Sequence, residues 1–316
     1  MTMTSKITCN KYNELTANAA NAAVTPAATS AANAANATVT PAETAPTASL
    51  RRLDARNHAG QPPETILVCD RVSFAYSPTE RPILQDISFE IAKRDFVCVL
   101  GASGCGKSTL LNILAGYLPV HEGQVMFKGE AITGPGWHRG VVFQQQALYP
   151  WLNVFDNIAF GLNMRHCEAT TVNVRVAELL DLIELTPYAQ EYVFNLSGGM
   201  RQRVQLARVL ANNPELILMD EPLGALDAIT RIKIQNLLRK LWWLGDSTFF
   251  MITHDIDEAL ALATKIIVLA PDPGRIVKTY ATNYTYSAYT ARHPNEYMDE
   301  SYLRLKEEIY EILTPE

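Results

Sequence analysis

GASGCGKST, residues 101–109, is the stretch on which the reading of this chain turns. It fits G-x-x-x-x-G-K-[ST], with Gly101, Gly106, Lys107 and Ser108 in the fixed places. Ala102, Ser103, Gly104 and Cys105 fill the free places, and Thr109 follows. An apolar run, FVCVL, precedes it, and LLNILAG follows with helical spacing. A strand, a glycine-rich loop and a helix in that order predict a P-loop. Glycines let the backbone wrap closely, so successive N–H groups point inward and form an anion nest. The opening helix adds the positive end of its dipole. The loop is therefore expected to hold a nucleoside triphosphate. Lys107 would reach the β/γ-phosphates, and Ser108 would give its hydroxyl to Mg²⁺.

Further along, LSGGMRQRVQLARVL begins at Leu196, and its Ser197-Gly198-Gly199 turn opens an arginine-bearing helix. That turn offers a second set of free N–H groups suited to phosphate. LILMDEP, residues 216–222, reads as a buried strand with an acidic end. Asp220 is placed to hold the Mg²⁺ shell, and Glu221 to position and polarise an attacking water.

The remaining periodicities surround this centre. ILVCDRVSFAYS and PILQDISFEI alternate like paired strands about a turn near residues 77–82, and GQVMFKGEAI reads as another hairpin. From 147 to about 191 the pattern becomes helical, as in VRVAELLDLIEL. RIKIQNLLRKLWWL predicts a helix whose Trp242 and Trp243 serve packing, and STFFMITH a buried strand. KIIVLAPDPGRIV predicts a last hairpin. Strands alternating with helices around the loop predict an α/β fold, with a P-loop NTPase core, an antiparallel β flank and a helical subdomain at about 145–212.

The 316 residues, 48% hydrophobic and 19% charged, suffice for one large or two modest domains. A net charge of -6 and a pI of about 5.6 give no support to a nucleic-acid partner. Five cysteines lie far apart with no CxxC or Cys/His cluster, which fits a reduced compartment better than a disulfide scaffold or zinc site. No apolar run approaches the ~18 to 20 residues that a membrane span needs. Residues 1–63 differ in kind from the rest. Between 15 and 50 the chain is mostly alanine, threonine, asparagine and proline, and Glu43 is its only charge. AANAAVTPAAT at 19–29 returns as AANATVTPAET at 34–44. With little large and apolar to bury, this segment is expected to be a disordered, low-complexity arm. Its lack of acids and the arginines at 51, 52 and 56 leave an organelle transit peptide as the lesser reading. The ordered ATP-binding domain is expected at 64–280, and a tail with a closing helix at 281–316.

In this combination the chain resembles the ATP-binding subunits of ABC transporters, from about residue 66 to 277. Tyr76 matches the aromatic that stacks on adenine, and the 101–108 loop matches Walker A. Gln144, in GVVFQ, matches the Q-loop glutamine near the metal and γ-phosphate, and LSGGM matches the signature. Asp220 and Glu221 match Walker B, Asp227 in GALD the D-loop, and His254 in ITHD the switch histidine. The resemblance implies that Ser197 and Gly199 contact the γ-phosphate of ATP held by a second subunit. The active unit would then be a head-to-tail homodimer closing over two ATP molecules with Mg²⁺. Met200 stands where the signature usually carries glutamine, and its thioether is a poor substitute for an amide in hydrogen bonding. Hydrolysis is expected to survive, because Ser197 and Gly199 are retained; the altered position bears on how firmly the dimer closes.

A narrower likeness is to the taurine/nitrate/sulfonate importer group. It is carried by RGVVFQQQALYPWLNVFDNIAFGL, DEPLGALDAITR, THDIDEALALATKIIVLAPDPGRIV and the terminal ESYLRLKEEIYEIL. This implies a peripheral protein on the cytoplasmic face of the plasma membrane, powering uptake of a small anion or sulfonate. Its partners would be integral-membrane permease subunits and, indirectly, a substrate-binding protein. The segment 144–158, with Leu148, Tyr149, Trp151 and Leu152 expected to be exposed, would meet the permease. The competing reading is a soluble ABC ATPase of translation or DNA repair. The single cassette and the absence of a long coiled-coil pattern count against it.

Overall fold

The computed structural model describes residues 64–77, 81–286 and 298–314. The expected arm at 1–63 lies outside them. At the centre is β3 (Phe96–Gly101), every residue of which is buried. It pairs in parallel with β8 (Thr248–Thr253) on one side and β9 (Lys265–Ala270) on the other. Beyond β8 lie β7 (Leu216–Asp220) and β6 (Arg139–Val142), also parallel, and β10 (Arg275–Ala281) closes the far edge antiparallel to β9. Parallel strands covered on both faces read as continuous apolar runs, which is why FVCVL, LILM and TFFMI show no alternation.

A second, antiparallel sheet runs β2 (Leu84–Ala92), β1 (Thr65–Phe74), β4 (Glu122–Phe127) and β5 (Glu130–Ala131). Leu67, Cys69, Val72 and Phe74 of β1 are buried, as are Leu84, Ile87 and Ile91 of β2. These side chains share one core with α1 (Lys107–Ala115) and with β3, β7, β8 and β9. The helix after the loop is thus clamped between two sheets.

α2 (Val154–Met164), α3 (Ala169–Leu182) and α4 (Gly198–Ala211) pack around their own apolar cluster, which includes Ile158, Val176, Leu180 and Val204. α5 (Ala228–Leu244) sends Trp242 inward, where its indole N–H donates to the Arg94 carbonyl at 2.8 Å. α6 (Ile256–Leu262) follows β8, and α7 (Glu300–Leu313) docks on α6 and β9. Side-chain caps start α2, α4, α5, α6 and α7, from Asn153, Ser197, Asp227, Asp255 and Asp299.

The strands and helices read from the periodicity are present, but the helical stretch expected from 147 to about 191 is narrower, beginning at Val154 and ending at Leu182. β6 and α6 were not foreseen, being only four and seven residues long. Cys69, Cys98 and Cys105 are free and buried. Cys9 lies outside the described residues. No helix among the described residues is long and apolar enough to cross a membrane.

Candidate active site

The site gathers where the parallel strands end, the edge at which open α/β sheets bind ligands. β3 stops at Gly101, and the chain turns through Gly104 and Gly106 at φ of 82° and 91°. At Gly106 a Cβ would also lie 2.6 Å from Leu84 Cδ2, so side chain and backbone both demand glycine there. α1 then begins at Lys107, with its N–H groups aimed into the loop. The Lys107 side chain is buried, and its Nζ donates to the carbonyls of Gly101 at 2.7 Å and Ala102 at 2.9 Å. Cys105 Sγ lies 4.0 Å from the same ammonium. Burial raises the Cys105 thiol's pKa, and Lys107 opposes that effect.

Ser108 Oγ donates to Asp220 Oδ1 at 3.2 Å, so the first helical turn touches the end of β7. Burial raises the pKa of Asp220; the Ser108 hydrogen bond opposes it, the neighbouring Glu221 charge adds to it, and Lys107 lowers it. Glu221 sits at φ 42°, and its N–H donates to the Ile252 carbonyl at 3.0 Å. That tie to β8 fixes the residue where three loops meet. Gln144 Nε2 donates to Glu221 Oε2 at 3.1 Å, and His254 Nδ1 lies 3.3 Å from Oε1. One carboxylate is therefore held between the loop after β6 and the loop after β8. Its side chain is 21% exposed, while that of His254 is 63% exposed.

Tyr76, just beyond β1, has its hydroxyl 3.2 Å from Thr109 Oγ1 and its ring edge-on to Phe74 at 5.1 Å. At 59% exposure the ring keeps an open face beside the loop. The structure thus brings together Tyr76, residues 101–109, Gln144, Asp220, Glu221 and His254.

Ser197, Gly198, Gly199 and Asp227 form a second group. Ser197 caps α4 by accepting from the Met200 N–H at 3.3 Å. Asp227 caps α5 by accepting from the Thr230 N–H at 3.0 Å; the Thr230 side-chain hydroxyl, and after it that N–H, hold its carboxyl below the usual range. The two turns abut: a Cβ on Gly199 would fall 2.4 Å from Thr230 Cγ2.

Gln146, Arg201, Arg231 and Glu258 support these groups without belonging to any motif in the sequence. Gln146 and Arg201 join the Gln144 segment to the Ser197 turn. Arg231 lies 3.6 Å from both Asp255, next to His254 in the chain, and Glu258. The expectation of four exposed apolar side chains between 148 and 152 needs correction. Trp151 is 69% exposed, but Leu148, Tyr149 and Leu152 are half-buried. Leu148 packs on the helical cluster, and Tyr149 lies 4.4 Å from Phe160 with Arg208 over its ring.

Ser108, Asp220 and Gln144 make an all-oxygen donor set of hydroxyl, carboxylate and amide, which fits a hard cation that keeps several waters. The positive-φ glycines and the buried ammonium fit a polyphosphate.

A family profile described as ABC transporter matches residues 84–224. A taurine import ATP-binding protein of Burkholderia thailandensis is 47% identical over 220 residues, covering 69% of this chain and 85% of that protein. One from Roseobacter denitrificans is 51% identical over 197 residues, covering 62% of this chain and 74% of that protein. Among solved structures, a dimeric ATP-binding cassette in a post-hydrolysis state with ADP and Pi is 32% identical with a TM-score of 0.61. That match covers 69% of this chain and 99% of the cassette. The fold is that of a P-loop ATPase, and the chain belongs to the ABC transporter family. It is an ATP-binding, ATP-hydrolysing subunit, and the soluble alternative finds no support among these relatives.

Proposed function

We propose that this subunit powers uptake of taurine or a closely similar small sulfonate. In this reading it works as a homodimer against permease subunits on the cytoplasmic face of the membrane, fed by a substrate-binding protein. The names of the relatives support the substrate, and the dimeric cassette supports the assembly. The observation that carries the chemistry is the Glu221 carboxylate, suspended between Gln144 and His254 beside the Ser108–Asp220 pair.

Tyr76 offers its open face to adenine. The N–H groups of the 101–109 loop and Lys107 take the phosphates, the ammonium exchanging two carbonyl partners for charged oxygens. Ser108, Asp220 and Gln144 would hold Mg²⁺, which when bound offsets phosphate charge. Glu221 accepts a hydrogen bond from the attacking water and polarises it. His254 steadies the opposite carboxylate oxygen and presents its exposed edge to the γ-phosphate. Ser197, Gly198, Gly199 and Asp227 face the ATP of the second subunit, so each active site is completed by its neighbour. Trp151 and the segment around it meet the permease.

Uptake of labelled taurine tests the substrate. Cells lacking the chain should lose it, and the wild-type chain but not Glu221→Gln should restore it. Undiminished taurine uptake without the chain would refute the substrate assignment.

A further inference from the structure

Two residues after Gln144, the chain makes a contact of a different kind. Gln146 is half-buried, and its amide is used at both ends. Nε2 donates to the Gly198 carbonyl at 3.0 Å, and Oε1 accepts from Arg201 Nε at 2.8 Å. Arg201 in turn donates from a terminal guanidinium nitrogen to the Leu196 carbonyl at 2.8 Å. The carbonyls on either side of Ser197 are thus both anchored by one glutamine–arginine pair. On the other flank, Gly199 lies against Thr230 with no room for a Cβ. Within the cap, Ser197 Oγ accepts from the Met200 N–H at 3.3 Å and the Ser197 carbonyl accepts from the Arg201 N–H at 2.9 Å, and the Met200 thioether is at best a weak acceptor.

The covalent geometry makes this link short. Gln144 and Gln146 are separated by one residue, so their Cα atoms can be at most about 7 Å apart. A displacement of Gln144 is passed to Gln146 with little slack. Gln144 holds Glu221 of its own site, while the 197–199 turn serves the site of the second subunit in the reading above.

We propose that Gln146 is a positioning residue that sets the orientation of the Ser197–Gly199 turn according to the state of Gln144, and so couples the two ATP sites of the dimer. The inference rests on the two-site dimer reading. Gln146 touches neither nucleotide nor metal; it acts through the Gly198 carbonyl.

The test uses the full chain carrying Glu221→Gln, which is expected to hold ATP without turnover. Into this background go Gln146→Glu and Gln146→Leu. Gln146→Glu keeps shape and strengthens the contact with Arg201, but sets an acceptor against the Gly198 carbonyl. Two quantities are read: ATP affinity of the dilute monomer, and the protein concentration for half-dimerisation at saturating ATP and Mg²⁺. Both variants should bind ATP within about twofold of the parent yet need about tenfold more protein to dimerise. If Gln146→Glu dimerises like the parent, Gln146 merely retains Arg201 and the proposal is wrong. A parallel loss of monomer ATP affinity would place Gln146 in its own site and overturn the coupling. If the Glu221→Gln parent itself fails to dimerise, the two-site reading falls, and the inference falls with it. Should Gln146→Leu not fold, the isosteric variant still decides.

Discussion

Glu258 shows how one buried acid is sustained beside the site. It accepts from Thr253 Oγ1 at 2.6 Å, and Arg231 Nε lies 3.6 Å from its other oxygen. Burial nevertheless dominates and raises its pKa, with Thr253 and Arg231 opposing. A raised carboxyl pKa means the fold binds the proton more tightly than the unfolded chain does. The stabilisation is therefore full below the ordinary glutamate range and is lost as pH rises through the raised value. Glu258→Gln cannot titrate, so the melting temperature of the wild type minus that of the variant should fall as pH rises above the ordinary glutamate range. A difference that does not vary with pH would contradict this. Cys69 makes a second case: burial, aided by Asp70, pushes its thiol up to about 12, and its S–H donates to the Ile87 carbonyl. It should resist thiol reagents at neutral pH until the chain is unfolded. At Gly199, an added methyl would meet Thr230 Cγ2, so Gly199→Ala should cost about 1 to 3 kcal/mol in unfolding free energy. ATP turnover should fall with it, while monomer ATP affinity holds. The motif residues were legible because phosphate chemistry fixes their spacing within one loop. Gln146, Arg201, Arg231 and Glu258 were not, since their roles come from partners brought near only by folding.

At the scale of elements, α7 ties the end of the chain to the helix that follows His254. Tyr302 is buried, and its hydroxyl donates to Asp257 Oδ1 at 3.1 Å, while Lys306 pairs with the same carboxylate at 2.7 Å. Ile309 is buried on the same face, and Lys278 of β10 pairs with Glu308. Tyr302→Phe removes one hydrogen bond and leaves the Asp257 carboxylate with Lys306. It should lower unfolding free energy by about 1 kcal/mol, read from the denaturant midpoint. No change in midpoint would show that Lys306 alone suffices. The amphipathic spacing of this helix was plain in ESYLRLKEEIYEIL, and the alternation of β1 and β2 was equally plain. β6 was obscured because it is short and includes Gly140, and α6 because seven residues show barely two turns. The sequence also could not show that β4 returns to pair with β1 instead of joining the central sheet. Strand partnership is decided by packing between distant segments, in this case around α1.

For the whole molecule, the two apolar clusters and the position of the loop at the strand ends hold every residue that this chain brings to the site within the described residues. Residues 1–63 contribute none of the site residues. Removing residues 1–60 should therefore leave ATP hydrolysis unchanged, and a large loss would show a function in that segment. The assembly carries the central claim: a cassette that hydrolyses ATP only when a second copy supplies its Ser197 turn. The measurement that tests it most directly is ATP turnover by the purified wild type and Glu221→Gln, with molar mass followed in ATP and Mg²⁺. Wild type should turn over, and the variant should lose about a hundredfold or more and accumulate as an ATP-held dimer. A variant that hydrolyses ATP at the wild-type rate, or stays monomeric with ATP bound, would contradict the account.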